Sequence, residues 1–258
     1  MCKRSSKWIC VFAVLIFVMS IGYPVNATIE WEEINMDHHH HHHSNQGVSE
    51  VKPDVSYSNG ELVIALKDKN GEAPELKVSH EKIMHLIVMS ADLSDYYHLH
   101  PEAKGDGVFV NKIDLPQGNY KVFVDISPEG LDYTVKPIQI RVGGAHTDSQ
   151  ENHLIADTNF TKTINGQTVE LTANPIEANK EVTFTFEVKD AKPEPYLGAL
   201  GHVVITDEKG EKFIHVHPKS DHETVFSTQF DERGIYKMWA EFKVEGEVIA
   251  YPFVFDVQ

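Results

Sequence analysis

The chain has 258 residues, a length that predicts one to two domains. A hydrophobic content of 41% with 10% aromatic residues is that of a globular protein and excludes disorder as the overall state. A formal net charge of −16 makes nucleic acid and anionic lipid poor partners, because both are negative, and it favours the attraction of cations.

The first 27 residues have the three parts of a secretory signal peptide. Lys3, Arg4 and Lys7 form a positive start, residues 8–23 form an apolar core, and a small-residue cleavage motif ends at Ala27. A retained membrane anchor is the alternative, but this apolar core is shorter than the ~20 residues that a spanning helix needs. We therefore predict cleavage after Ala27, a secreted or extracytoplasmic protein, and no stable membrane insertion after cleavage.

Both cysteines, Cys2 and Cys10, lie within this predicted signal peptide, so the mature chain has none. Neither follows a small-residue cleavage motif directly, so a lipid anchor is not expected. Any metal site in the mature chain must therefore use nitrogen and oxygen ligands rather than thiolates.

Residues 28–50 lack a periodic apolar pattern and are predicted to form a disordered, His-rich tail. Six consecutive histidines run from His38 to His43. They are either a native tract that captures several borderline metals with little selectivity, or a purification tag.

From residue 51 onwards, short runs of β-branched and aromatic residues alternate with turn signals, which predicts an all-β sandwich. About seven strands are expected in the first domain, residues 51–143. The clearest strand candidates are 61–67, 76–78, 107–113, 119–126 and 133–142, together with a histidine-containing hairpin from residue 84 to residue 102.

The second domain, residues 158–258, repeats the order of the first. Gly234-Ile235-Tyr236-Lys237 matches Gly118-Asn119-Tyr120-Lys121 at an offset of 116, and the histidine hairpins match at an offset of 117. Such steady offsets indicate a duplicated domain. The polar residues 144–157 between the copies are predicted to be a linker. The predicted fold is therefore two tandem Ig-like or cupredoxin-like antiparallel β-sandwich domains.

Each hairpin carries three histidines at the same spacing. The step from the first to the second is 13 residues, the step to the third is 2 residues, and a proline follows each time. The two sets are His85, His98 and His100 in the first domain, and His202, His215 and His217 in the second.

Antiparallel pairing explains how such spacing could build a site. With the turn centred between Glu208 and Lys209, His202 lies opposite His215; the same geometry sets His85 opposite His98. The third histidine returns to the same face by the period-2 rule. We expect three imidazoles at one end of each hairpin, within reach of an ion held about 2.0–2.1 Å from each nitrogen.

The ligand set leaves the ion open. Three imidazoles suit zinc (Zn2+) and copper (Cu2+) equally, and copper(II) wins at equal availability. Methionine is not a shared ligand, because Gly201 stands where the first copy has Met84. Asp125 and Glu241 correspond at the 116 offset and are candidate fourth ligands if their carboxylates face inwards, or else solvated strand charges.

A structural role is the alternative for these histidines, since buried histidines often only bond backbone carbonyls. Four further histidines have no counterpart in the other copy, or lie in the linker, and are predicted to be surface or accessory residues. They are His80, His146, His153 and His222.

The segments MHLIVMSADLSDYYHLHP, PQGNYKVFVDISPEG and RGIYKMWAEFKVEG resemble secreted Ig-like sandwich modules found near bacterial copper and heavy-metal genes. These include the YtkA-like proteins and, more distantly, the CopC-like copper carriers. The resemblance implies a metal-handling β-sandwich and extends to the two histidine triads only. The methionine-rich copper(I) loops of some such carriers are absent from this sequence.

The sequence therefore predicts a secreted protein that captures, buffers or delivers copper(II) or zinc through one three-histidine site per domain. Its partners would be metal ions, with a membrane transporter or another metal carrier as recipient, and the tail would feed the sites. No enzyme activity is expected. The alternatives are an Ig-like adhesion or envelope module with structural histidines, and a zinc or copper metalloenzyme. Because neutral imidazole is the ligand, affinity should fall as the pH drops through about 6.5.

Overall fold

The computed structural model describes residues 48–79, 81–144, 153–189, 191–216 and 218–258. Over these ranges its regular secondary structure is entirely β, with eighteen strands and only antiparallel pairing. The all-β prediction is thus confirmed. No helix within the described ranges could cross a membrane. The predicted signal peptide and nearly all of the His-rich tail lie outside these ranges.

The first domain is a sandwich of two four-stranded sheets. One has the order β1-β2-β7-β6, the other the order β10-β8-β4-β5, and β3 pairs with β9. The strands are β1 (Val51–Ser58), β2 (Glu61–Asp68), β3 (Leu76–Lys77), β4 (His85–Ser90), β5 (Tyr96–Leu99), β6 (Glu102–Gly105), β7 (Val108–Lys112), β8 (Gly118–Asp125), β9 (Ser127–Pro128) and β10 (Ile138–Val142).

The second domain repeats this plan with sheets of order β11-β12-β13-β16 and β15-β14-β17-β18. The central strands β4 and β8 correspond to β14 and β17. The strands are β11 (Thr161–Ile164), β12 (Gln167–Ala173), β13 (Glu181–Lys189), β14 (His202–Asp207), β15 (Ile214–Val216), β16 (Val225–Gln229), β17 (Gly234–Val244) and β18 (Glu247–Val257).

The strands show two kinds of burial. In β2 the buried residues Leu62, Ile64 and Leu66 alternate with more exposed ones, as expected for a sheet with one face on the core. In β4 all six residues are buried. Its even-numbered side chains Leu86 and Val88 enter the core of the first domain, whereas its odd-numbered side chains enter a separate cluster.

This separate cluster joins the two domains, which belong to one compact unit. Ile87 and Met89 of β4 and Phe123 of β8 pack there with Val204 of β14 and Trp239 of β17. The β4 sheet of the first domain and the β14 sheet of the second therefore pack face to face.

The interdomain contacts come in equivalent pairs. Tyr96 of the first domain stacks on Trp239 of the second with ring centroids 4.7 Å apart. Phe213, the counterpart of Tyr96, stacks at 5.1 Å on Phe123, the counterpart of Trp239. Each domain thus presents the same surface to the other, as in the isologous interface of a twofold dimer.

The hairpin loops and two lysines repeat this symmetry. The Nζ of Lys237 donates to the carbonyl of Leu93 at 2.6 Å, and the Nζ of its counterpart Lys121 donates to the carbonyl of Lys209, one residue before the counterpart of Leu93. Gly210, the counterpart of Leu93, packs against Leu93 itself. A methyl group added to Gly210 would be only 3.0 Å from Cδ2 of Leu93.

The region predicted as a linker is described only at its edges, since residues 145–152 lie outside the described ranges. Leu154 packs against the interdomain cluster, and its N–H donates to Oε1 of Glu208 at 3.0 Å. The chain therefore enters the second domain in contact with its hairpin loop.

Candidate metal centre

The histidine hairpins form as predicted, but in a different register. In the first domain His98 pairs with Ile87, so continuing the ladder brings His100 opposite His85. In the second domain His215 pairs with Val204. The prediction that His85 faces His98, and the same prediction for the second copy, is wrong by two residues.

The longer loops explain the shift. The N–H of Ser90 donates to the carbonyl of Asp95 at 3.1 Å, which closes a four-residue loop instead of a two-residue turn. Leu93 in this loop and Gly210 in the other have φ angles of 60° and 65°, a left-handed conformation that lengthens the turn. A shift of two residues keeps the face, so the histidines still converge.

The three triad histidines of the first domain bring their ring nitrogens together. The Nδ1 of His85 lies 3.0 Å from Nε2 of His98 and 3.2 Å from Nε2 of His100. One ligand atom from each residue fits within 4.8 Å of the others. Among the described residues, these three form a group that could hold a metal ion.

Hydrogen bonds on the outer side of two rings determine which nitrogen of each ring faces the centre. The Nε2–H of His85 donates to the carbonyl of Ser79 at 3.1 Å, which leaves the lone pair on Nδ1. The Nδ1–H of His98 donates to Oε2 of Glu241 at 2.5 Å, which turns Nε2 towards the centre. Nδ1 of His85 and Nε2 of His98 therefore face each other at the centre.

The second domain repeats these bonds. The Nε2–H of His202 donates to the carbonyl of Tyr196 at 2.9 Å, and the Nδ1–H of His215 donates to Oδ2 of Asp125 at 2.8 Å. In both domains the accepting carbonyl precedes the first histidine by six residues. The third predicted ligand of this copy, His217, lies outside the described residues.

The described triad histidines of the two domains lie in one cluster. The ring centroid of His215 is 5.3 Å from that of His85 and 5.7 Å from that of His98. The rings of His98 and His202 are 6.0 Å apart. The sequence predicted one site in each domain but not that the rings of the two domains would lie close together at the interdomain face.

The two predicted fourth ligands contact histidines of the opposite domain. Asp125 is the cross-strand neighbour of His85, and Glu241 is that of His202. Each carboxylate faces inwards, yet it accepts its bond from the second histidine of the other domain. The pairs differ in burial, because the side chain of Glu241 is 7% exposed and that of Asp125 is 28% exposed.

Burial also determines the charge of His85 and His100. Burial, followed by the neighbouring His98, lowers the pKa of His85 to about 4 and that of His100 to about 3. Both rings are therefore neutral near pH 7. Neutral imidazole is the form that binds a metal ion.

The remaining histidines were predicted to lie at the surface and Met84 not to be a ligand, and the described residues have the burial expected for this. His153 and His222 are exposed, and Met84 is 1% exposed in the core of the first domain. His80 and His146 lie outside the described residues.

Sequence reasoning missed the outer partners of the rings. The carbonyls of Ser79 and Tyr196 were not predicted, although the two residues are related by the same offset of 117 as the histidines. Offsets between copies could have marked them as equivalent positions. They could not have shown that each carboxylate crosses to the opposite domain.

A family model described as "Domain of unknown function (DUF8832)" matches the chain twice, over residues 47–143 and 162–258. This match and the repeated sheet order confirm the predicted duplication. No curated protein matches the chain.

Several solved structures have low similarity to this chain. The BSP domain of a biofilm-associated protein is 15% identical over 81% of this chain and 30% of that chain, with a TM-score of 0.23. The Escherichia coli adhesin FdeC is 19% identical over 82% and 65% respectively, with a TM-score of 0.26. The chain thus spans at most about two thirds of either structure, and the fold assignment rests on the strand pairing.

Proposed function

The chain belongs to this domain family, as two copies, and we propose that it binds a divalent transition metal, copper(II) or zinc, at the histidine centre where its domains meet. The outer hydrogen bonds of the rings provide the main support. They leave Nδ1 of His85 and Nε2 of His98 facing each other across 3.0 Å. With both rings neutral, these nitrogens carry two lone pairs, which would repel unless a metal ion lay between them.

A metal ion fits this position. Tetrahedral bonds of about 2.0–2.1 Å set neighbouring ligand nitrogens roughly 3.3 Å apart. The separations from Nδ1 of His85 are 3.0 Å to His98 and 3.2 Å to His100, close to that value. The low pKa values of His85 and His100 add support, since these rings do not take up competing protons near pH 7.

The proposed role is capture, buffering or delivery of the metal outside the membrane, after cleavage of the signal peptide behind Ala27. The resemblance to YtkA-like and CopC-like modules favours the same role. The His-rich tail, if native, would feed the centre, and a membrane transporter or another carrier would receive the ion. Only ligand exchange is needed, so no catalysis is proposed.

One observation favours a second candidate, a structural module whose histidines lock the domains together. The bonds from His98 to Glu241 and from His215 to Asp125 both cross the interface. In this case His98 would be protonated on both nitrogens, and its Nε2–H would donate to His85. A proton would then occupy the position proposed for the metal.

Native mass spectrometry distinguishes the two candidates. The histidines from 38 to 43 are first replaced by serine, so that the tail binds nothing. We expect two ions per chain after loading with Zn2+ or Cu2+, and one fewer after His98→Ala or after His215→Ala. The exposed His222→Ala is the matched control and should keep both ions. A chain that binds no ion would support the structural candidate.

A further inference from the structure

We propose that Glu241 and Asp125 are positioning residues that make metal binding in each domain depend on docking of the other domain. This inference rests on the proposed metal function and adds its regulation. Glu241 accepts from His98 at 2.5 Å, and Asp125 accepts from His215 at 2.8 Å. The dependence is therefore mutual.

These bonds determine which nitrogen each ring offers to the centre. Neutral imidazole carries one proton, on either Nδ1 or Nε2. The Glu241 carboxylate only accepts, so it holds the His98 proton on Nδ1 and keeps Nε2 free to bind. Carboxylates behind ligating histidines also orient the ring and raise its basicity, and their loss typically weakens metal binding 10- to 100-fold.

The first histidines do not depend on the other domain in this way. His85 is held by Ser79 and His202 by Tyr196, both through carbonyls of the same domain. Of the first two histidines of each triad, it is thus the second whose outer acceptor comes from across the interface. If the two domains separated, the second histidine would lose the acceptor that fixes its tautomer and orientation. The first histidine would keep its acceptor.

The geometry argues against direct ligation by these carboxylates. Glu241 contacts Nδ1 of His98, whereas the nitrogen that meets His85 is Nε2, on the opposite side of the ring. The carboxylate therefore stands behind the ring. By thermodynamic linkage, if docking raises metal affinity, then metal binding stabilises docking to the same extent.

The test measures Zn2+ affinity of the full chain, with the tail histidines replaced by serine, in competition with a chromophoric chelator. A His215→Ala background reports the ion of the first domain, and a His98→Ala background reports that of the second. In the first background Glu241→Gln should weaken binding by about 10- to 100-fold. In the second it should change binding by no more than about twofold.

Asp125→Asn should give the reverse pattern, weakening the second-domain ion and sparing the first. The exposed Glu247→Gln, on the neighbouring strand β18, is the matched control and should leave both affinities unchanged. Nitrogen-15 NMR of the metal-free protein gives a second readout. His98 should carry its single proton on Nδ1 in the parent chain and partly on Nε2 in Glu241→Ala. The structural candidate instead predicts a proton on both nitrogens in the parent chain.

Two results would overturn the inference while leaving the proposed function intact. In the first, Glu241→Gln weakens Zn2+ binding in the second domain, which would make Glu241 a ligand in its own domain. In the second, Glu241→Gln leaves the Zn2+ affinities of both domains unchanged. A parent chain that binds no Zn2+ would instead refute the proposed function itself. If Glu241→Ala fails to fold, the near-isosteric Gln variant and Asp125→Asn decide the question.

Discussion

Removal of the His98 ring from the metal-free protein should destabilise it more than removal of its counterpart His215. The side chain of His98 is 1% exposed and its partner Glu241 is 7% exposed, so His98→Ala leaves a buried carboxylate without its bond from this ring. Breaking a buried pair from one side costs about 3–5 kcal/mol. Asp125, at 28% exposure, can be solvated after His215→Ala, and the loss of that pair should cost about 1 kcal/mol.

Urea unfolding in the presence of a chelator measures this difference. Fluorescence is a suitable signal, because Trp239 is the single tryptophan after residue 31 and lies in the interdomain cluster. Adding Glu241→Gln to His98→Ala removes the buried charge and should recover at least about 1 kcal/mol. Equal costs for the two histidine variants, or a double variant no more stable than the single one, would refute the reasoning.

Three further outcomes are expected for the metal-free protein. Its free energy of unfolding should fall by on the order of 3 kcal/mol as the pH drops from about 6.5 to about 4, because His85 is protonated over this range in the unfolded chain but not in the folded one. Urea unfolding at several pH values measures this loss, and a flat profile would contradict it. Gly210→Ala should lower the stability by about 1 kcal/mol more than Gly246→Ala, because both glycines have a positive φ but only a methyl group on Gly210 would crowd Leu93. Equal melting temperatures of the two variants would count against this contact. Tyr96→Phe should leave the stability unchanged or raise it by up to about 1 kcal/mol, because the buried Tyr96 hydroxyl has no hydrogen-bond partner in the described part of the chain. A clearly lower stability in urea unfolding would show that the hydroxyl has a partner.

Strands with a clear turn on each side could be predicted closely from the sequence. The candidates 61–67 and 119–126 correspond to β2 (Glu61–Asp68) and β8 (Gly118–Asp125). The candidate 133–142 was too long, since β10 begins at Ile138. Tyr133 instead turns inwards, and its hydroxyl donates to the carbonyl of Val124 at 2.7 Å. A tertiary bond of this kind is invisible to periodicity.

The hairpin register could not be predicted because it depends on one backbone angle. Leu93 adopts a φ of 60°, in the left-handed region that branched apolar residues rarely enter. Its counterpart Gly210 adopts the same conformation without cost. Alignment of the two copies offered this clue, since a glycine at the equivalent position allows a longer loop in both. The face of each histidine was nevertheless predicted, because it depends only on parity.

The close approach of the histidines of the two domains follows from the packing of the central strands, which the sequence also indicates. The run HLIVMS of β4 is buried at all six positions, and HVVIT at the start of β14 is buried as well. A sheet with one face in solvent would alternate apolar and polar residues. Unbroken apolar runs in both central strands therefore require a second partner for each sheet. Each domain can supply that partner for the other, and docking them face to face brings His85 and His202, which begin these strands, into one interdomain centre.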